Sequence, residues 1–167
     1  MKKYSKADQR ALATWAAHCA RHVLPMFEKA YPTDDRPRRA IAACRTWVRT
    51  GVFKMAEIRR ASLSAHAAAR AARSNGPACF AARAAGHSVA TAHVPQHAMG
   101  SAYYALKAVA AAKMQAGAAP VAAAVARERA WQARRLAPHL RAILLERIVV
   151  ENRNDAICIK IKKGKDF

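Results

Sequence analysis

Acidic residues are scarce. Ten Asp and Glu stand against 30 Lys and Arg, giving a formal net charge of +20 over 167 residues. From Ala84 to Leu106 there is no Lys, Arg, Asp or Glu at all. The thin acidic supply leaves little from which to build a catalytic metal centre, and no H-E-x-x-H is present. Neither a phosphate-cradling glycine-rich loop nor a G-x-S-x-G occurs, so nucleotide hydrolysis and serine-esterase chemistry have no support. The four cysteines, Cys19, Cys44, Cys79 and Cys158, show no C-x-x-C spacing, which argues against a disulfide framework and fits a reducing cytoplasm. Lys6, Asp8 and Arg10 follow the basic start where a signal peptide would place its apolar stretch. β-branched runs are few before residue 147.

What the chain does have is alanine, about a quarter of its residues. Alanine forms helix best and contributes little apolar area, so alanine-rich helices must approach closely. The expected fold is all-α: a compact alanine-rich bundle of about seven helices, solenoid-like in its alternation of helix and short turn. A single domain is expected over 1–148, followed by a basic tail over 149–167 that either frays or forms a strand. Trp15, Phe27, Trp47, Phe80 and Trp131, with Phe53, are the candidate core keystones. Helices are expected over about 7–30, from 36 to Gly51, 54–73, 77–93, 96–114, 121–135 and 138–147. Pro25 should kink the first or split off its last turn, and Asp34 should cap the second. The tail alternates from Ala156 to Lys162 like a strand, and a lone strand needs a partner from another chain to be stable.

The uncharged window holds His87, His93 and His97, with Tyr103 and Tyr104 at its end. A helix without a charged face has no fully wet face, so these imidazoles are carried inward and must find partners. His66 and Arg70 share a helix face at i, i+4 and could form an anion-holding pocket or simply support packing. His93 and His97 have the spacing of metal ligands, but Pro95 disturbs the helix between them. Asp34, Arg36 and Arg38 read as a helix start whose arginines could also fork to a carboxylate or phosphate. Arg127, Arg134 and Arg141 recur every seven residues, a solvated face that lacks the interleaved aromatics of a nucleic-acid reader. No catalytic residue, metal ligand set or cofactor is assigned. The uncharged window is long enough to span a bilayer, but its histidines, Pro95, Gln96, Ser88, Thr91 and Ser101 point to a buried helix in a cytoplasmic protein.

Several segments carry a resemblance when read in order. They are Trp15-Ala16-Ala17-His18-Cys19-Ala20 with Leu24-Pro25-Met26-Phe27-Glu28, then Asp34-Asp35-Arg36-Pro37-Arg38 and Arg45-Thr46-Trp47. Ala65-His66-Ala67-Ala68-Ala69-Arg70, Ala81-Ala82-Arg83-Ala84-Ala85-Gly86, Ala90-Thr91-Ala92-His93-Val94, His97-Ala98-Met99-Gly100 and Leu136-Ala137-Pro138-His139-Leu140-Arg141 follow. Over about 10–147 the chain resembles the immunity proteins of bacterial polymorphic toxin systems, in the immunity-protein-five-like group. The resemblance implies a small helical cytoplasmic protein that binds and neutralises a cognate toxin without catalysis. Asp34, Arg36, Arg38, Trp47, His66, Arg70, Arg83, Gly86, His93 and His97 match the family pattern. Ala42 stands where an acidic residue is expected, and His87 where glutamine is usual. Given its charge, this chain would need a toxin with an acidic patch or a local apolar contact. Two alternatives remain at this point: a basic protein associating non-specifically with nucleic acid, and a helical metal-dependent enzyme using its histidines.

Overall fold

A computed structural model describes residues 4–117, 120–153 and 156–162, apart from the side chains of 143, 144, 152, 153 and 156. Within them the chain forms α1 (Lys6–Ala30), α2 (Arg36–Thr50), α3 (Met55–Ala71), α4 (Gly76–Ala90), α5 (His97–Gln115), α6 (Val121–Arg134) and α7 (Pro138–Leu145). Two strands follow, β1 (Ile148–Arg153) and β2 (Ala156–Ile161). The all-α bundle expected from composition is what forms, with a two-stranded hairpin added.

Local chemistry sets most boundaries. Ser5 accepts a hydrogen bond from the Asp8 N–H at 3.0 Å, and Asn75 accepts one from Ala78 at 3.2 Å, each satisfying a free donor of a first turn. Gly51 ends α2 in the left-handed region, at φ 71°. Two local expectations are corrected. Helix α1 continues through Pro25 to Ala30, so the last turn is not split off; Pro25 is exposed, so the carbonyl it leaves without a donor can face solvent. Asp35, not Asp34, holds the cap position of α2 and makes no side-chain cap bond, while the Asp34 carboxylate accepts from the Arg36 backbone N–H at 3.1 Å as well as from its guanidinium. Helix α5 restarts after α4, one of the two outcomes expected of Pro95, with turns over 91–96 in the region where that residue lacks its N–H.

Helix α4 is the central rod, packed against α1, α2, α3 and α5. Its Ala78, Ala81, Ala82, Ala84 and Ala85 are fully buried, and their small side chains let four neighbours come close. Small polar groups then bridge helices through backbone carbonyls. Ser101 Oγ lies 2.8 Å from the Ala16 carbonyl and 3.0 Å from that of Ala84. Ser62 Oγ donates to the Gly86 carbonyl at 3.0 Å, and Cys44 Sγ to that of Ser88 at 3.1 Å.

Trp15, Phe27 and Trp47 are buried as expected. Phe80 and Trp131 are only partly buried against the core, and Phe53 is exposed. Apolar type alone overstates their burial, since the first two lie under cationic side chains at the rim. The strand near the C-terminus finds its partner within the chain: β1 and β2 pair antiparallel, Val150 opposite Ile159 and Ile148 opposite Ile161. Ile148 is fully buried, β1 contacts α7, and β2 rests on α5. The expectation of fraying at the extreme end, 163–167, lies outside the described residues. No described helix is long and apolar enough to cross a membrane.

Candidate functional site

Two glycines create the polar centre. A Cβ on Gly86 of α4 would lie 2.8 Å from the His66 ring, and one on Gly100 of α5 would lie 2.6 Å from His87 Nδ1. Without those methyls, the imidazoles can sit close against the two helices. His66 from α3, His87 from α4 and His97 from α5 therefore converge, and His93 joins from the turn before α5. Ring centroids step 5.1 Å from His66 to His87, 5.3 Å to His97 and 5.2 Å to His93. The Nδ1 atoms of His87 and His97 are 3.2 Å apart. One must carry the proton and the other accept it, so the pair is bonded only while at least one ring is neutral.

The row continues into carbon rings. Tyr104 stacks on His87 at 5.3 Å and 22°, Tyr103 meets Tyr104 edge-on at 5.0 Å, and Phe80 lies 6.2 Å from Tyr104. Two cations cover this end. Arg83 sits 5.6 Å from the Tyr104 centroid and Lys107 4.5 Å from that of Phe80, within cation–π range.

Burial disfavours charge on His66, His87 and His97, and neighbouring positive groups add to it. His87 is pushed down to about 3, by burial first and then by His66, His97 and Arg83. His97 falls to about 4 through burial, His93 and His66. His66 is lowered by burial, Arg83 and Arg70. At neutral pH these three are uncharged. General acid–base catalysis works best with a group titrating near the operating pH, which His87 and His97 do not. Their chemistry is that of a neutral, hydrogen-bonded, polarisable surface. Among the described residues, no three His, Cys, Asp or Glu side chains converge so as to hold a metal ion.

The structure thus joins His66, His93 and His97, with His87, absent from the site residues picked from sequence, as the link between them. Arg70 is exposed one turn beyond His66 and acts on it through charge. Asp34, Arg36 and Arg38 make their contacts elsewhere. Arg36 forks onto Asp34 at 2.8 and 2.6 Å, holding the Asp34 carboxyl below its usual range, and Arg38 pairs with Glu28 at 2.6 Å. Arg127, Arg134 and Arg141 are exposed, as a solvated row should be.

A second polar cluster was also missed. Glu128 of α6 is buried, and its carboxylate meets His22 Nδ1 at 2.8 Å and the Gln132 amide at 3.0 Å. His22 stacks on Trp131 at 4.0 Å, while the Arg135 guanidinium lies 3.9 Å from the same ring. Trp15 Nε1 donates to the Gln132 carbonyl at 2.8 Å, tying this cluster to the core. A lone Glu between Arg127 and Arg129 was the available signal.

The family model described as "Imm-5 like putative immunity protein" matches residues 2–139. The chain belongs to this immunity-protein family. Neither the curated proteins nor the solved structures give a match. The matched region contains the whole histidine row and both glycines beneath it, while the hairpin lies beyond it.

Proposed function

We propose that this immunity-family protein neutralises a cognate toxin of a bacterial polymorphic toxin system by stoichiometric binding, acting in the cytoplasm and without catalysis of its own. The observation that carries this reading is the family match over residues 2–139. Two features support binding over turnover. The most enclosed imidazoles are held neutral, with His87 and His97 titrating far below physiological pH. The net charge of +20 favours a partner with an acidic face, which it would steer into contact.

The test is co-expression with the toxin domain encoded beside this chain's own gene. Cells carrying both should survive, and cells carrying the toxin alone should not. Equal killing in the two cultures would refute the proposal.

A second reading, non-specific association with nucleic acid, draws on the same charge. It predicts affinity for duplex DNA that falls steeply with salt, with a slope set by the phosphates neutralised. A flat salt dependence would remove it.

A further inference from the structure

Exposed apolar surface is concentrated at one corner of the molecule. Five large hydrophobics stand exposed among the described residues, and three of them, Val52 and Phe53 in the link after α2 and Met55 at the first position of α3, lie within four residues at 61, 45 and 51% exposure. Beside them opens a pocket of about 700 Å³, walled by Trp47, Phe53 and Met55 and edged by Lys6, Arg10 and His93. His93 is the outer end of the histidine row, so pocket and row are continuous.

The pocket is preformed by contacts that do not belong to a ligand. Gly51 turns the chain out of α2 with a positive φ, and its missing side chain leaves the place that the Arg10 guanidinium occupies. Gln9 Nε2 donates to the carbonyls of Thr91 and Ala92, at 3.1 and 2.9 Å, pinning α1 to the turn that carries His93. A wall fixed in advance loses little conformational freedom when it is covered. Lys6 and Arg10 form no ion pair among the described residues. Apolar anchors inside a charged rim are the anatomy of a protein interface. A second copy of this chain is a poor occupant, because two surfaces of charge +20 repel.

We infer that this pocket is where the toxin docks, through an acidic segment whose apolar side chain enters between Trp47, Phe53 and Met55 while its carboxylates meet Lys6 and Arg10. The inference rests on the toxin-neutralising reading above and adds a location to it.

The experiment measures binding of the purified, catalytically inactivated toxin domain encoded beside this gene to the full chain and its variants. Phe53→Glu and Met55→Glu change exposed side chains, and their melting curves should match the parent. Each should weaken the complex at least about 30-fold, the scale of an interface hot spot. Lys6→Glu should slow association about tenfold at low salt, with less effect at high salt. Met114→Glu, 70% exposed at the end of α5, is the control and should bind within about threefold of the parent. Parent-like binding and protection by Phe53→Glu and Met55→Glu would overturn the pocket assignment and leave the toxin reading standing. A parent chain that neither binds nor protects would overturn both. A parent dimer that Phe53→Glu makes monomeric, or a single-stranded RNA complex that it abolishes, would reassign the pocket to that occupant and overturn the inference.

Discussion

A methyl group at Gly100 has nowhere to go, because His87 Nδ1 already sits 2.6 Å from the position it would take. In an open helix, glycine to alanine would stabilise by about 1 kcal/mol. Here the His87 ring must move and give up its 3.2 Å contact with His97. Gly100→Ala should therefore destabilise by about 1–3 kcal/mol, the usual cost of overpacking. Combining it with His87→Ala should recover much of that loss in a double-mutant cycle; additive losses by chemical denaturation would place the strain elsewhere. Gln96 poses the opposite case. Its amide is buried in the turn between His93 and His97, and neither of its atoms finds a hydrogen-bond partner. Gln96→Met removes two unsatisfied groups at similar volume and should raise stability by about 1 kcal/mol. A drop in melting temperature would mean that the amide is held by something it binds. His87 was visible in the sequence as an imidazole in an uncharged window, but its central position was not. That position depends on two glycines from different helices facing two rings, a juxtaposition no spacing along the chain encodes.

Helix boundaries were largely legible because Pro, Gly and Asn punctuate them through backbone geometry. Asn75-Gly76-Pro77 starts α4, Gly51 ends α2 and Pro138 opens α7. The uncharged stretch likewise marked the buried centre, since a rod packed on four neighbours has no wet face for charge. The hairpin was harder. Alternation over 156–162 was read, but its partner strand was not, although Asn154-Asp155 between the two runs are residue types suited to a tight hairpin turn. The His22–Glu128 contact joins α1 to α6, and composition gives no hint of such pairings. The hairpin also supplies a test of how firmly it is docked. Ile148 is fully buried at its start, so Ile148→Ala should cost about 2–5 kcal/mol. A change within about 0.5 kcal/mol, typical of surface sites, would mean that the hairpin is not packed on the bundle.

For the molecule as a whole, the three enclosed histidines couple stability to pH. Unfolded, each takes up a proton near its ordinary value of 6.5; folded, His87 and His97 wait until about 3 and 4, and His66 is also lowered. The unfolded chain binds more protons throughout that interval, so stability rises with pH there. Their contribution should be complete above pH 6.5 and lost progressively as pH falls towards 4. The carboxylates lowered by His139 and Arg36, Asp8 and Asp34, lose their contribution only below their ordinary value of 3.8, outside this window. Melting temperatures from pH 7.5 to 4 should show the decline, and His87→Gln should flatten it. A parent-like slope in that variant would show that His87 is not the coupled group. The proposed function is at this scale a matter of stoichiometry, since a protein that neutralises by occupying its partner acts once per copy. Titrating a fixed amount of active toxin domain with the purified chain measures this directly. Residual toxin activity should fall in a straight line to zero at a fixed molar ratio and stay there; activity that is unaffected, or that vanishes with time at a small fraction of that ratio, contradicts neutralisation by binding.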